Sequence, residues 1–315
     1  MNLRENSTLG RKVFFVNPPY YVTNTIIPRL TDNEYEVYFI DNFRMVKPVL
    51  KKYPVSICFI NIDSDVLTFK QWFRFVKSFE EDEILSTIFF GVISQYAPKP
   101  ERENFLLNVQ LPAGFIQFTP DMEALVDIFL AILEMNEAMG KRKYVRADCG
   151  RDPRIYAEIN LESKKMPLMI QNISSVGISC YANESQLPLL EEKSVHRMTL
   201  HLNDMVFPGS IIILMKREMN GKPIVVMLFG QGLAFSSKSM IRDFIRHKIQ
   251  VNLNQEFIGV PLDKTDYTKG PEVLEPLIGA NEDMEKDQTF DELEELNDGN
   301  IDSADEETDS DSDLL

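Results

Sequence analysis

Residues Met166–Tyr181 read MPLMIQNISSVGISCY, and upstream of them Gly140–Arg146 read GKRKYVR. In the first stretch an apolar run meets Asn172-Ile173-Ser174-Ser175-Val176-Gly177 and then resumes as Ile178-Ser179-Cys180-Tyr181. Two apolar runs joined by Asn, Ser and Gly read as paired strands around a turn. The same rhythm continues on both sides. Strand-like runs recur at Ile155–Leu161, Leu168–Gln171, Val176–Tyr181, His196–Leu202, Ser210–Lys216 and Ile224–Phe229. Short strands at this spacing predict an antiparallel barrel. Ser239–Gln250 reads as a helix with Met240, Ile241, Phe244, Ile245 and Ile249 at helical spacing.

Arg142 and Arg146 form an RxxxR, and Asn172 follows Arg146 by 26 residues to open an NxSxxG. Together, in this order and inside a β-rich segment, the two motifs resemble the PilZ family, receptors for cyclic di-GMP. The resemblance covers about 141–250 and implies a six-stranded antiparallel barrel with a C-terminal helix, and Phe229–Phe235 resembles the family's late strand. It implies cyclic di-GMP as a regulatory ligand at Arg142, Arg146, Asn172, Ser174 and Gly177, with Lys141 and Lys143 as auxiliary positions. The residue types suit that ligand. A guanidinium is planar and permanently charged, binds phosphate oxygens in pairs, and also stacks on guanine or donates to its edge. The Asn172 amide donates and accepts, the Ser174 hydroxyl donates, and Gly177 admits a close backbone approach or a left-handed turn.

The front of the chain has a different rhythm. Apolar runs at Lys12–Asn17, Glu36–Ile40, Val55–Ile62, Ser86–Ile93 and Ala113–Phe118 are nearly continuous, as in parallel strands covered on both faces. Amphipathic segments at Thr68–Phe79 and Asp121–Met139 alternate with them, the second expected to end at Gly140. This order predicts a flavodoxin-like doubly wound sheet. In order and length it resembles a response-regulator receiver, a degenerate one. The first run ends in Asn17-Pro18-Pro19 without the acids that hold a cation. The third ends at Asp63, the fourth at Ser94 and the fifth near Gln117. Asp63 is expected to cap the following helix. The expected organisation is therefore 11–139 receiver-like, 140–250 PilZ-like, 251–280 an extension in which Val251–Pro261 adds a strand, and 281–315 a disordered acidic tail.

Charge follows that division. The formal net charge is −16, but residues 281–315 hold 16 acids against one base, while 141–250 hold 17 bases against 10 acids. The middle is thus basic, as a phosphate-bearing ligand needs, and the tail has the composition of a disordered segment. Cys58, Cys149 and Cys180 are too few and too scattered for a disulfide framework. With His196, His201 and His247 as the chain's histidines, no metal cluster is expected. His196 and His201 lie on opposite faces of one run. No apolar stretch is long enough for a membrane span, and a cytoplasmic location is expected. No catalytic constellation, P-loop or dinucleotide fingerprint is legible, and nucleic acid is not an expected partner. The expectation is a non-enzymatic cyclic di-GMP effector. Ligand binding at an RxxxR hinge would change domain orientation and the contact with a protein partner in motility, envelope or signalling machinery. The alternative is a response-regulator-like adaptor controlled through its front domain, by phosphorylation or protein binding, without cyclic di-GMP.

Overall fold

The computed structural model describes residues 10–150, 152–161, 164–219, 221–231 and 234–269. The acidic segment 281–315 and residues 270–280 of the extension lie outside them.

The front runs form β1 (Lys12–Val16), β2 (Val37–Ile40), β3 (Ser56–Asn61), β4 (Phe89–Ser94) and β5 (Phe115–Gln117). They pair in parallel in the order β2-β1-β3-β4-β5, the flavodoxin-like order. Alternate residues face opposite ways, so β1 sends Phe14 and Val16 to one core and Val13 and Phe15 to the other. The second core takes helices α1 (Ile27–Asp32) and α5 (Met122–Met135). The first takes α2 (Val46–Lys52), α3 (Phe69–Lys77) and α4 (Lys99–Asn108). A capping box starts α3: the Thr68 hydroxyl accepts from Gln71 N while the Gln71 side chain accepts from Thr68 N at 2.9 Å.

The middle of the chain forms β6 (Arg146–Asp148), β7 (Ile155–Leu161), β8 (Lys164–Ser174), β9 (Gly177–Tyr181), β10 (Val195–Leu202), β11 (Met205–Met219) and β12 (Lys222–Phe229). Six of them close antiparallel in the order β8-β7-β10-β11-β12-β9, with β9 returning to β8. β6 pairs with β8 outside that ring, through Arg146↔Ser174 and Asp148↔Asn172. Helix α6 (Phe235–Glu256) follows. No helix among the described residues is long and apolar enough to cross a membrane.

The two sheets share one compact unit, because α6 packs on β2 of the parallel sheet and on β6 and β8 of the other. Its apolar side, Ile241, Phe244, Ile245, Ile249 and Leu253, belongs to the same buried cluster as Phe14, Tyr38 and the barrel interior. Gln250 is buried and reads the open edge of β2: its Oε1 accepts from Phe39 N and its Nε2 donates to Phe39 O, both at 3.0 Å. The amide thus stands where the next strand's peptide would. On the barrel side, Asn252 Nδ2 donates to Asp148 O at 2.7 Å. After α6 the chain returns across α3. Tyr267 is buried against Phe75, and Arg74 donates to Thr268 O at 2.7 Å.

Several local expectations are corrected. Helix α5 ends at Met135, where Asn136 caps it and Glu137 takes φ 50°, so Gly140 does not end it. Among the described residues of Phe229–Phe235 the strand ends at Phe229: Gly230 donates to Ser210 O at 2.9 Å, and α6 begins at Phe235, while Gly232 and Leu233 lie outside the described residues. Val251–Pro261 adds no strand either. Leu253 continues the i, i+4 series from Ile249, so residues to Glu256 remain helical. Asp63 caps no helix. Its carboxylate accepts from the Ser94 hydroxyl and from Gln95 N, both at 2.5 Å, tying the end of β3 to the loop after β4.

Candidate functional site

The NxSxxG spans the turn from β8 to β9. Its outward-facing residues lie in rows that cross the barrel wall, because paired residues of adjacent strands face the same way. Asn172 pairs with Ser179, and Ser179 with Val226 on β12. Val226 in turn pairs with Met215 on β11, just past an irregularity between Ile213 and Met215. Ser174, Gly177 and Leu228 make the next row. These rows floor a cleft of about 260 Å³ lined by Asn172, Ser174, Gly177 and Ser179, with Met215, Val226 and Leu228 as its apolar part. Arg146 from β6 and Arg217 from β11 line it too.

Within the motif the roles are partly internal. Ser174 is buried and donates to Gly177 O at 3.1 Å, which closes the turn. Asn172 donates to Gln171 Oε1 at 2.7 Å, and Ser179 donates to the same oxygen at 2.8 Å. Gly177 is not in the left-handed region. A Cβ there would lie 2.2 Å from Met227 O and 3.1 Å from Leu228 Cα. The close approach that needs this glycine is therefore the barrel's own seam between β9 and β12.

A second cleft, about 360 Å³, lies between the RxxxR segment and the edge of the parallel sheet. Arg142, Tyr144, Val145 and Arg146 line it from one side, and Arg11, Lys12 and Glu34 from the other. Arg146 lines both clefts; Arg142 lines this one. Lys12 and Lys52 are neutralised by Glu36 and Glu256. Among the described residues no carboxylate forms an ion pair with Arg142, Arg146 or Arg217. Burial, and then the like charges of Arg142 and Arg217, lower the Arg146 guanidinium from its ordinary value. Three guanidinium groups held outside any ion pair make a place for an anion, which the Glu34 carboxylate lining the Arg142 cleft opposes. Lys141 and Lys143 are exposed beside Arg142, and Lys143 sits over the Tyr144 ring at 5.6 Å.

The structure therefore brings Arg146, Asn172, Ser174 and Gly177 to one cleft and leaves Arg142 in the neighbouring one. Sequence reading missed Arg217, which lies within β11, 71 residues beyond Arg146, and carries no motif. The available signal was its place in the outward register of β11, legible once Met215 is paired with Val226. His196 bonds the Ser194 hydroxyl at 2.7 Å, and His201 stacks on Tyr156 with ring centroids 4.2 Å apart. No group of His, Cys, Asp and Glu among the described residues is arranged to hold a metal ion.

No protein-family model matches the chain, and no curated protein matches it. Solved structures similar to it fall into two groups. The PilZ domain of YcgR with c-di-GMP, from Escherichia coli, is 13% identical, covering 38% of this chain and 99% of that one, with a TM-score of 0.34. The chain joins a five-stranded parallel sheet of flavodoxin-like order to a closed six-stranded antiparallel barrel. The Bacillus subtilis inhibitor of motility MotI is 15% identical over 37% of this chain, at a TM-score of 0.31, and this chain spans about half (53%) of it. The chemotaxis response regulator CheY4 of Vibrio cholerae is 18% identical, covering 39% of this chain and 99% of that one, with a TM-score of 0.32.

Proposed function

We propose that the chain is a cyclic di-GMP receptor whose site is the barrel cleft below Arg146. The observation that carries this reading is Arg146 itself. It is unpaired, bounded by Arg142 and Arg217, and lines one cleft with Asn172, Ser174 and Gly177. Cyclic di-GMP brings two phosphodiesters and two guanines. The phosphates meet guanidinium groups, and a guanine face lies on the apolar floor of Met215, Val226 and Leu228. Asn172 and Ser179 offer polar atoms for a guanine edge. Arg142 completes the site by swinging from its own cleft toward Arg146. Lys141 and Lys143 supply long-range attraction.

In this reading the ligand acts without chemistry. The barrel, 140–250, is the sensor and the receiver-like part, 11–139, is the interaction module. Closure of 141–146 over the ligand alters how the two are held and so changes a contact with a protein partner in motility or surface behaviour. Isothermal titration with cyclic di-GMP tests it. Binding is expected in the wild-type chain and its loss in Arg142→Ala/Arg146→Ala. Equal affinity in the double variant, or no uptake by the wild type, refutes the reading. A pull-down with and without the ligand identifies the partner.

A further inference from the structure

Glu34 belongs to the receiver-like part, just after α1, yet its side chain ends between the two barrel motifs. Oε1 accepts from the Ser175 hydroxyl at 2.6 Å, and Oε2 accepts from Val145 N at 3.0 Å. Ser175 lies inside the NxSxxG, and Val145 lies between the two arginines of the RxxxR. The same carboxylate lines the cleft that holds Arg142 and Arg146. Glu34 takes φ 62°, a left-handed conformation that glycine or asparagine occupies at lower cost. A glutamate kept at such a position is tied to what its side chain does.

The segment it holds is fixed at a second point on the same sheet edge. Arg11 N donates to Ala138 O at 2.9 Å, and a Cβ on Gly10 would meet Gly140 N at 2.5 Å. Between the Ala138 and Val145 anchors stands Arg142, on the sheet side and out of the NxSxxG cleft. Arg142 reaches a ligand in that cleft when one anchor yields. The Glu34 contact is the one made by a side chain, and it is the one that a phosphodiester opposes. A phosphate at Arg146 repels the carboxylate and takes over the partly desolvated positive field that it shares.

Resting on the cyclic di-GMP reading, we propose that Glu34 is the site's built-in competing anion. It holds the RxxxR and NxSxxG segments against the receiver-like sheet in the ligand-free chain, sets the affinity, and is displaced when the ligand binds. The displacement frees Ser175 and Val145 together, which links occupancy of the barrel to its hold on the sheet.

The test is titration of the full chain with cyclic di-GMP for wild type, Glu34→Gln, Ser175→Ala and the double variant, with amide hydrogen exchange at Val145. Glu34→Gln is expected to bind about tenfold tighter, the weight of one hydrogen bond to a charged group. Ser175→Ala should bind tighter by a smaller factor, and the double variant no tighter than Glu34→Gln, because both remove one contact. Val145 exchange should rise in Glu34→Gln and in the wild type on adding ligand. A wild type that binds while Glu34→Gln binds equally or more weakly overturns the proposal and leaves the functional reading standing. A wild type that takes up no cyclic di-GMP overturns the functional reading and this proposal with it.

Discussion

Gly177→Ala is the substitution whose cost follows most directly from the structure. The new methyl would sit 2.2 Å from Met227 O and 3.1 Å from Leu228 Cα, both main-chain atoms of β12. No side chain can rotate away, so β9 and β12 must part by about 1 Å to reach ordinary contact distance. That shift falls on the seam that closes the barrel. Phe229 N donates to Val176 O at 2.9 Å there, and Gly177 pairs with Leu228. Weakening two ladder bonds at about 1 kcal/mol each, with overpacking of about 1–3 kcal/mol, gives roughly 3–5 kcal/mol. For a unit of this size the melting temperature should fall by about 6–20 °C. Urea unfolding followed by Trp72 fluorescence and by circular dichroism measures it. Trp72 lies under the parallel sheet but shares one buried cluster with the barrel interior, so both signals should shift together. A midpoint within about 0.5 kcal/mol of wild type would refute the close-packing account of this glycine. It would return Gly177 to a role in ligand approach alone.

Three further outcomes are expected. Gln250→Ala leaves Phe39 N and O unpaired at a buried edge and should cost about 1–3 kcal/mol in the same urea assay; an unchanged midpoint refutes the edge-pairing role. Arg217→Ala should weaken cyclic di-GMP binding by about tenfold and flatten its salt dependence, while Arg217→Lys keeps most of the salt dependence; titration at two salt concentrations decides. The three thiols should resist thiol reagents at pH 8 until the chain unfolds. All are buried, burial pushes Cys149 up to about 12 and raises Cys58 and Cys180, and the thiolate is the reactive form. Because these values are raised on folding, the neutral thiols stabilise the fold below the ordinary thiol range. That stability is lost as pH climbs from about 9 toward 12. Rapid labelling of the folded chain at pH 8 contradicts this.

Much of the architecture was legible in the chain because its causes are local. Continuous apolar runs such as Val55–Ile62 announced buried parallel strands, and alternating runs such as Ile155–Leu161 announced barrel staves. The places where local reading failed share a cause. Val251–Pro261 looked strand-like in isolation, but α6 runs into it as far as Glu256 because Ile249 and Leu253 have a core to enter. Asp63 looked like a helix cap, but Ser94, 31 residues away, brings the donors that bind it. Of the site, the motif residues were readable from their spacing, and Arg217 and Glu34 were not.

Spacing and residue type by themselves determined two sheets, a basic segment between them, and a guanidinium pair followed by an Asn-Ser-Gly turn. They could do so because strand periodicity and turn chemistry act over a few neighbouring residues. Tertiary structure alone decided that Gln250 completes the edge of β2, 211 residues away, and that Glu34 lies between motifs more than 100 residues beyond it. It also decided that Gly177 serves the seam of its own barrel. Such contacts depend on where whole strands come to rest, and a single polar residue leaves no periodic trace of the partner it will meet.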